Sequence, residues 1–368
     1  MGDETDVLVI GGGPAGLAAA IAVRKQGFDV IVADGAEPPI DKACGEGLMP
    51  DTLAALRGLG IEVDECEGYP FRGIRFLGHG TEVEANFPTG QGIGVRRPVL
   101  HQKLVEQACA AGVSFRWKTS ITGLHPNGVV VGRKVLGARW IVGADGIRSR
   151  VRRWAGLEPH TLGEPRYAFR RHYCVKPWSD CMELYWGESA QAYVTPVGRH
   201  QVCIVLMSRD PTVRFPSIET HFPRLAKHLA QAASAGTERG AVTLTRRFER
   251  VYCGRVVLIG DASGTVDAIT GEGLRLNFDQ AKALADALKA GDLGRYQAAH
   301  RRLARRPRFM GHLMLMLDRH PELRARAMRA MAANPEVFAR LLAIHVGATS
   351  PRHLATTGTL LGWRFVAT

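Results

Sequence analysis

The sequence predicts an α/β protein: a parallel, dinucleotide-binding sheet domain that is discontinuous along the chain, an inserted mixed β-sheet domain, and helices at the C-terminal end. Three observations predict it. The chain opens on a strand, a glycine turn and a helix; buried-strand signatures return near 140 and 260; and the material between is rich in short alternating segments. The expected boundaries are 1–70, 97–160 and 252–300 for the cofactor domain, 71–96 and 161–251 for the substrate domain, and 301–368 for a helical C-terminal segment.

The opening is the most specific element. An apolar run, Val7 to Ile10, meets Gly11-x-Gly13-x-x-Gly16, and helix formers continue to Lys25. Gly11 turns the chain, Gly13 lets the backbone approach a pyrophosphate, and Gly16 lets the helix lie close on the strand. The free N–H groups at the helix start then face the phosphates. Gly11, Gly13, Pro14, Ala15 and Gly16 are therefore candidate cofactor-binding residues. The next strand, Val30 to Ala33, ends in Asp34, whose carboxylate can accept ribose hydroxyls.

Residues 35–50 are too rich in Gly and Pro for regular structure. A helix is expected from Asp51, a good N-cap, to about Gly58. Residues 71–86 read as two short strands, and Pro98 to Ala111 as a helix closed by Gly112. Pro126-Asn127-Gly128 marks a hairpin turn. Arg139 to Arg152 runs from a strand into a basic helix. Strands are expected at 166–175, 181–186, 191–196, 201–207 and 241–248, with a helix near 217–233. The buried strand 255–260 leads through a glycine-studded loop to a helix over 277–290, and the remainder reads as helical.

Composition bounds the class. With 368 residues, 46% hydrophobic and 23% charged, the chain can bury a large core. No run suits a spanning helix, which needs roughly 18 or more apolar residues. The N-terminus has neither a basic leader nor a cleavable apolar segment, so the simplest location is the cytoplasm. Seven dispersed cysteines without C-x-x-C argue against a zinc ribbon, a redox dithiol or a disulfide framework; most are expected to be buried thiols, and no metal site is expected. Of the net charge of +13, residues 295–330 supply +8 through ten Arg against Asp318 and Glu322. No nucleic-acid module accompanies that charge. It suits solvated helix faces, an anionic ligand or a membrane headgroup.

Two further motifs complete the set: Gly143-Ala-Asp145-Gly146-x-x-Ser149-x-x-Arg152, and Gly260-Asp261-Ala262 continued to Thr270-Gly271-Glu272-Gly273. The ordered trio resembles the flavoprotein class that includes para-hydroxybenzoate hydroxylase and geranylgeranyl reductase, over about the first 280 residues. The resemblance implies a Rossmann-like FAD-binding domain. It places Gly11, Gly13 and Gly16 at the pyrophosphate, Asp34 at the adenosine ribose, Asp261 at the ribityl chain and Arg97 near the cofactor. Gly260, Gly271 and Gly273 belong to the flavin-side loop. Asp145 and Arg152 lie near FAD in this class and have been linked to the nicotinamide cofactor; the alternative is an Asp-Gly turn that caps a helix. A second GxGxxG is missing, so NAD(P)H would act transiently, without a domain of its own.

Two reactions stay open. Cys44-Gly45-Glu46-Gly47 and Thr270-Gly-Glu-Gly273 resemble the loops of the reductase branch. Ala192-Tyr-Val-Thr-Pro-Val-Gly198 departs from that branch and looks like bacterial polyketide-tailoring flavoproteins of secondary metabolism. The sequence therefore favours an NAD(P)H-dependent monooxygenase acting on a small aromatic or polyketide-like substrate, with an alkene or isoprenoid reductase as the alternative. Cys44, Glu46 and Glu272 are the candidate catalytic groups in either case. The apolar stretch Phe309 to Leu317, flanked by Arg, reads as core or as a cover over the substrate entrance, or else as a peripheral membrane contact for a lipophilic substrate.

Overall fold

A computed structural model describes residues 4–78, 80–157 and 159–349, apart from the side chains of 159–162. The expected helical residues 350–368 lie outside that range. Helices are numbered along the chain: α1 (Pro14–Arg24), α2 (Pro50–Gly58), α3 (Arg97–Ala110), α4 (Arg150–Trp154), α5 (Ile218–His221), α6 (Pro223–Leu229), α7 (Gly273–Lys289), α8 (Leu293–Leu303), α9 (Arg305–Arg319), α10 (Pro321–Ala333) and α11 (Pro335–His345).

An eight-stranded sheet carries the glycine turn. Its main path runs in space 252–253, 256–258, 134–143, 4–10, 30–33, 114–116. The strands from 256–258 to 114–116 are all parallel. Both faces are covered, which is why Val7–Ile10 and Val30–Ala33 read as unbroken apolar runs. α1, α3 and α7 pack on one face. The hairpin 121–131 and α4 pack on the other. α1 is apolar all round and buried from Pro14 to Val23, as a helix between layers must be.

A seven-stranded sheet runs 233–243, 166–174, 201–208, 190–198, 181–186, 73–78, 81–86. It is antiparallel except where 181–186 meets 73–78. The 3-10 turn Phe215–Ser217, α5 and α6 cover one face through Phe215, Phe222, Leu225 and Leu229. The other face looks toward the cofactor loops and α9 to α11. A small three-stranded sheet of 47–48, 92–94 and 69–71 sits between the two.

Five expectations need correction. The helix foreseen over 217–233 is two short helices, because Phe222 takes a non-helical φ of −142° immediately before Pro223. The strand expected at 241–248 begins at Ala233 and runs to Thr243, with a separate 246–248 strand. Asp51 is not an N-cap: Met49 holds that position, and Asp51 in the first turn pairs with Arg306 and Arg275 instead. Of the seven free cysteines only Cys181 and Cys203 are buried, whereas Cys66, Cys109, Cys174 and Cys253 are exposed. α7 also starts one turn earlier than expected, at Gly273.

Candidate active site

The three glycines of the opening turn occupy three different environments. Gly11 has φ +113°, and a Cβ there would meet the Ala144 carbonyl oxygen at 2.4 Å. A Cβ on Gly16 would lie 1.9 Å from the Gly11 carbonyl, so the helix could not close onto the turn. Gly13 has nothing within 4 Å of its Cβ position. It is the N-cap of α1, with no side-chain cap and no acid in the first turn, and Pro14 follows. The α1 N–H groups and their partial positive charge thus face open space.

Asp34 closes the loop from the side. Its carboxylate accepts from Gly12 N at 2.6 Å and Ala36 N at 2.7 Å. Two neighbours were missed in the sequence. His101, fully buried on α3, contacts the Gly12 carbonyl through Nε2 at 2.8 Å, while Ile40 N donates to Nδ1 at 3.4 Å. That pattern assigns the proton to Nε2, and burial lowers the His101 pKa. Trp117 lies over Gly12, 2.4 Å from where a Cβ would be. His four places after Arg97 is the only signal the sequence offered for either.

The three motifs converge. Gly11 touches Ala144, a Cβ on Gly260 would lie 2.6 Å from Ala15 Cβ, and Arg152 donates to the Ala262 carbonyl at 3.2 Å. Asp145 accepts from Arg150 N at 2.7 Å, Val151 N at 3.2 Å and the Ser149 hydroxyl, so its carboxylate caps α4. The architectural reading of this motif describes the geometry. Gly260 takes φ +63° and donates to Gln280 at 2.9 Å, fixing the strand end. Asp261 next to it opens onto a chamber yet lies deep within the protein, and burial raises its pKa against Lys42 and Arg97. Arg97 borders the same chamber, with its Nε buried and without a hydrogen-bond partner.

The Cys44–Gly47 loop is clamped onto the substrate sheet. Glu46 is buried at φ +60°, a backbone state that only a well-held side chain tolerates. It accepts from Arg97 N at 2.9 Å and Arg170 at 2.8 Å, and contacts His172 Nε2 at 2.6 Å. Burial opposes its charge, but His172, the Arg97 N–H and Arg170 outweigh it and hold the pKa low. Thr195 donates to the Gly45 carbonyl at 2.7 Å, and Cys44 Sγ accepts from Glu46 N at 3.4 Å. Glu46, His172 and Cys203 have donor atoms within 4.8 Å of one another, the metal-ligand types expected of a cation site. Arg170 and His172 already occupy the Glu46 oxygens, and burial holds the Cys203 thiol well above its usual pKa, so this cluster suits an ion-pair clamp better than a metal.

Glu272 stands apart from Glu46. It is buried behind Gly271 and Gly273, beside Arg306 at 3.4 Å, Arg275 at 3.6 Å and His345 at 3.6 Å. Burial pushes its pKa up to about 7.

Between these loops, the seven-stranded sheet and α9 to α11 lies a chamber of about 360 Å³. Its polar rim holds Lys42, Cys44, Glu46, Arg97, Asp261 and Asn277. Beyond the rim the walls are apolar: Phe76, Met182 and Met207 from the sheet face Met314, Leu317 and Phe338 from the helices. Tyr193 and Thr195 turn their hydroxyls onto the Ile269 and Gly45 carbonyls.

An uncapped helix start, an open Gly13, an unpaired buried guanidinium Nε and a chamber-facing carboxylate at a strand end together fit FAD. Residues 4–303 match the family model described as FAD binding domain. The chain belongs to that family. This FAD-binding chain is 28% identical over 322 residues to a menaquinone reductase of Mycobacterium tuberculosis, covering 80% of the chain and 78% of the relative. It is 28% identical over 330 residues to a digeranylgeranylglycerophospholipid reductase of Methanosarcina mazei, with 80% and 78% covered. A flavoprotein/dehydrogenase from Cytophaga hutchinsonii shares the fold at TM-score 0.80 and 19% identity, covering 94% of this chain and 93% of its own. So does 2-methyl-3-hydroxypyridine-5-carboxylic acid oxygenase, at TM-score 0.69 and 23% identity, with 90% and 94% covered. The FAD-binding chain is an FAD-dependent oxidoreductase.

Proposed function

We propose that this oxidoreductase reduces a carbon–carbon double bond in an isoprenoid lipid, with NAD(P)H as a transient reductant. The observation that carries the reading is the chamber. Its walls beyond the cofactor loops are chiefly Leu, Met, Phe, Ile and Val, with His345, Thr243 and Thr265 among them, and the Tyr193 and Thr195 hydroxyls there already serve main-chain carbonyls. Such walls match a hydrocarbon chain, while a small hydroxylated aromatic needs a few placed polar groups to orient it. Both relatives, at 28% identity over 80% of the chain, are named as reductases, and the digeranylgeranylglycerophospholipid reductase is named for an isoprenoid lipid, which supports the same reading.

In this reading Gly13 and the α1 N–H groups hold the pyrophosphate, Asp34 the ribose, and Arg97 and Asp261 the flavin half. The bound flavin supplies a hydride. The chain's own residues position the lipid, keep water from the double bond and provide a proton. The hydroxylase reading draws its support from the shared fold and from the Ala192–Gly198 segment. Oxygen separates the two. With flavin chemically reduced under argon, a polyprenyl lipid should gain two hydrogens, detected by mass; conversion that requires air and adds oxygen would overturn the reductase.

A lipid substrate also implies a surface that meets its source. Along α9, Met310, Met314 and Leu317 face the chamber, while Arg305, Phe309, His312, Met316 and Arg319 form an exposed stripe. An anionic bilayer matches that stripe in polarity and charge. Among the described residues no helix is long and apolar enough to cross a membrane.

A further inference from the structure

Behind the flavin-side loop, α2, α7, α9 and α11 bring together three carboxylates, two guanidinium groups and one imidazole. Arg306 of α9 reaches Asp51 of α2 at 3.0 Å and Glu272 at 3.4 Å. Arg275 of α7 reaches Asp279 at 2.5 Å, Asp51 at 3.3 Å and Glu272 at 3.6 Å. His345, in the last turn of α11, places Nδ1 3.6 Å from Glu272 Oε2. Three acids against two arginines leave the buried groups one positive charge short, and Lys282, exposed on α7, acts on Asp279 from outside the cluster. The cluster becomes neutral when it holds one further proton.

The structure restricts where that proton sits. Glu272 Oε2 and His345 Nδ1 are both buried, face each other and lack a hydrogen-bond partner; Asp51 Oδ1 lacks one too, and burial raises Asp51 as well, but Arg275 and Arg306 lie closer to Asp51 than to Glu272 and favour its charged form. A buried polar atom without a partner is costly, and closing the 3.6 Å gap by a few tenths of an ångström, with a proton on either atom, would give both a partner. In water the imidazole would take it. Here burial pushes the His345 pKa down to about 4, with Arg306 and Arg275 adding to the effect and Asp51 opposing it. Burial pushes Glu272 up to about 7, helped by Asp279 and opposed by Arg306 and Arg275. The proton therefore rests on Glu272 near neutral pH.

His345 also borders the chamber, and its ring lies between Glu272 and the main chain of Thr270. We infer that Glu272 and His345 form a proton store in the chamber wall that supplies the proton consumed when the substrate double bond is reduced. This rests on the reductase reading. The balance is simple: a hydride adds to one carbon, the π pair moves to its neighbour, and that carbon takes a proton from the imidazole. Glu272 passes its proton to Nδ1 as the other nitrogen, turned from the Thr270 main chain toward the substrate, releases one, so His345 ends neutral and Glu272 ends as a carboxylate, refilled from solvent. His345 is then the catalytic residue and Glu272 a positioning residue that recharges it.

The test uses the full-length holoenzyme and two readouts. In infrared titration, a protonated-carboxyl band should be present at pH 6, fade as pH rises past about 7, and be missing in E272Q. In anaerobic stopped flow with chemically reduced flavin and a polyprenyl lipid, H345Q and E272Q should each slow substrate reduction by roughly 100-fold. The wild-type decline above neutral pH should be missing in E272Q. Melting curves and flavin content confirm folding; should H345Q fail to fold, H345N takes its place. No band assignable to Glu272, or full-speed reduction in both variants, overturns the proton store while the reductase reading stands. A band without any lipid reduction by the wild-type protein overturns the reductase and the proton delivery with it.

Discussion

Glu46 Oε2 and His172 Nε2 meet at 2.6 Å across 126 positions of sequence, and this contact ties the Cys44–Gly47 loop to the substrate sheet. The same carboxylate takes Arg170 and the first N–H of α3. A group suspected of chemistry is thus better explained as the pin that sets loop geometry. Its left-handed backbone costs roughly 1–3 kcal/mol, which the surrounding contacts offset.

Removing that pin should loosen the cofactor site. E46A leaves buried cations short of a partner, a loss of about 3–5 kcal/mol. A melting curve should show it, and FAD should be lost on gel filtration. E46Q, which keeps the shape, should fall between. The pH dependence has a definite sign. The folded pKa lies below the ordinary 4.5, so the ionised form's contribution is present above 4.5 and disappears as pH falls through the folded value. The stability gap between wild type and E46Q should therefore shrink in acid. A gap that is constant with pH would contradict the pin.

Two neighbouring glycines should respond in opposite ways. A methyl at Gly13 meets nothing within 4 Å, whereas one at Gly16 collides with the Gly11 carbonyl at 1.9 Å. G13A should melt like wild type without cofactor yet bind FAD at least about tenfold more weakly, ~1.4 kcal/mol. G16A should fail to fold. Calorimetry of apoprotein and flavin titration separate the two effects; unchanged FAD affinity in G13A would remove the pyrophosphate from this position.

Those glycine roles were legible in the sequence because each is a local demand of strand, turn and helix. The strands at 30–33, 73–78 and 181–186 were legible for the same reason: alternation or an unbroken apolar run survives in one dimension. His101, Trp117 and His345 carry no such mark. They reach the site through side-chain contacts that span tens to hundreds of residues, and only the packed fold reveals the partner. Glu46 and Glu272 sit in look-alike Gly-Glu-Gly contexts, yet one is held ionised by His172 and Arg170 while the other is kept protonated by burial. Sequence spacing cannot separate them, because the difference lies in what packs above each carboxylate. The 217–233 misreading was local: Pro223 was available as a break signal, and its effect on Phe222 outweighed the helical pattern around it.

The Glu272–His345 pair makes a stability prediction that needs no substrate. Unfolded, Glu272 titrates near 4.5 and His345 near 6.5; folded, they titrate near 7 and near 4. Between pH 4.5 and 6.5 the unfolded chain carries the proton on histidine and the folded chain carries it on glutamate, so the two contributions cancel. Single substitutions should expose them. In E272Q the histidine alone remains, the unfolded state binds more protons, and stability should rise with pH relative to wild type. In H345Q the glutamate alone remains and stability should fall with pH. Each slope approaches about 1.4 kcal/mol per pH unit at most. Denaturant unfolding at several pH values measures both, and slopes of the same sign would show that the two groups do not share a proton.

The outer stripe of α9 makes the last prediction. Phe309 and Met316 are 44% and 41% exposed, among the few large apolar side chains the fold leaves uncovered. They lie two turns apart on one face, with Arg305 and Arg319 at its ends, and ten Arg fall within 295–330. Each basic residue near an anionic surface contributes about 1 kcal/mol, and each inserted Phe or Met side chain about 1.5–3 kcal/mol. Together these predict sedimentation with phosphatidylglycerol-containing vesicles, weaker binding as salt is raised, and little binding to neutral phosphatidylcholine. F309S/M316S should lower vesicle affinity by at least about tenfold, since each serine removes roughly 1.5 kcal/mol or more of insertion. Anaerobic reduction of a short, water-soluble prenyl substrate should stay unchanged in that variant, because both side chains point away from the chamber. Equal binding to neutral and anionic vesicles, or no effect of the double substitution, would leave α9 as a cover over the chamber and nothing more.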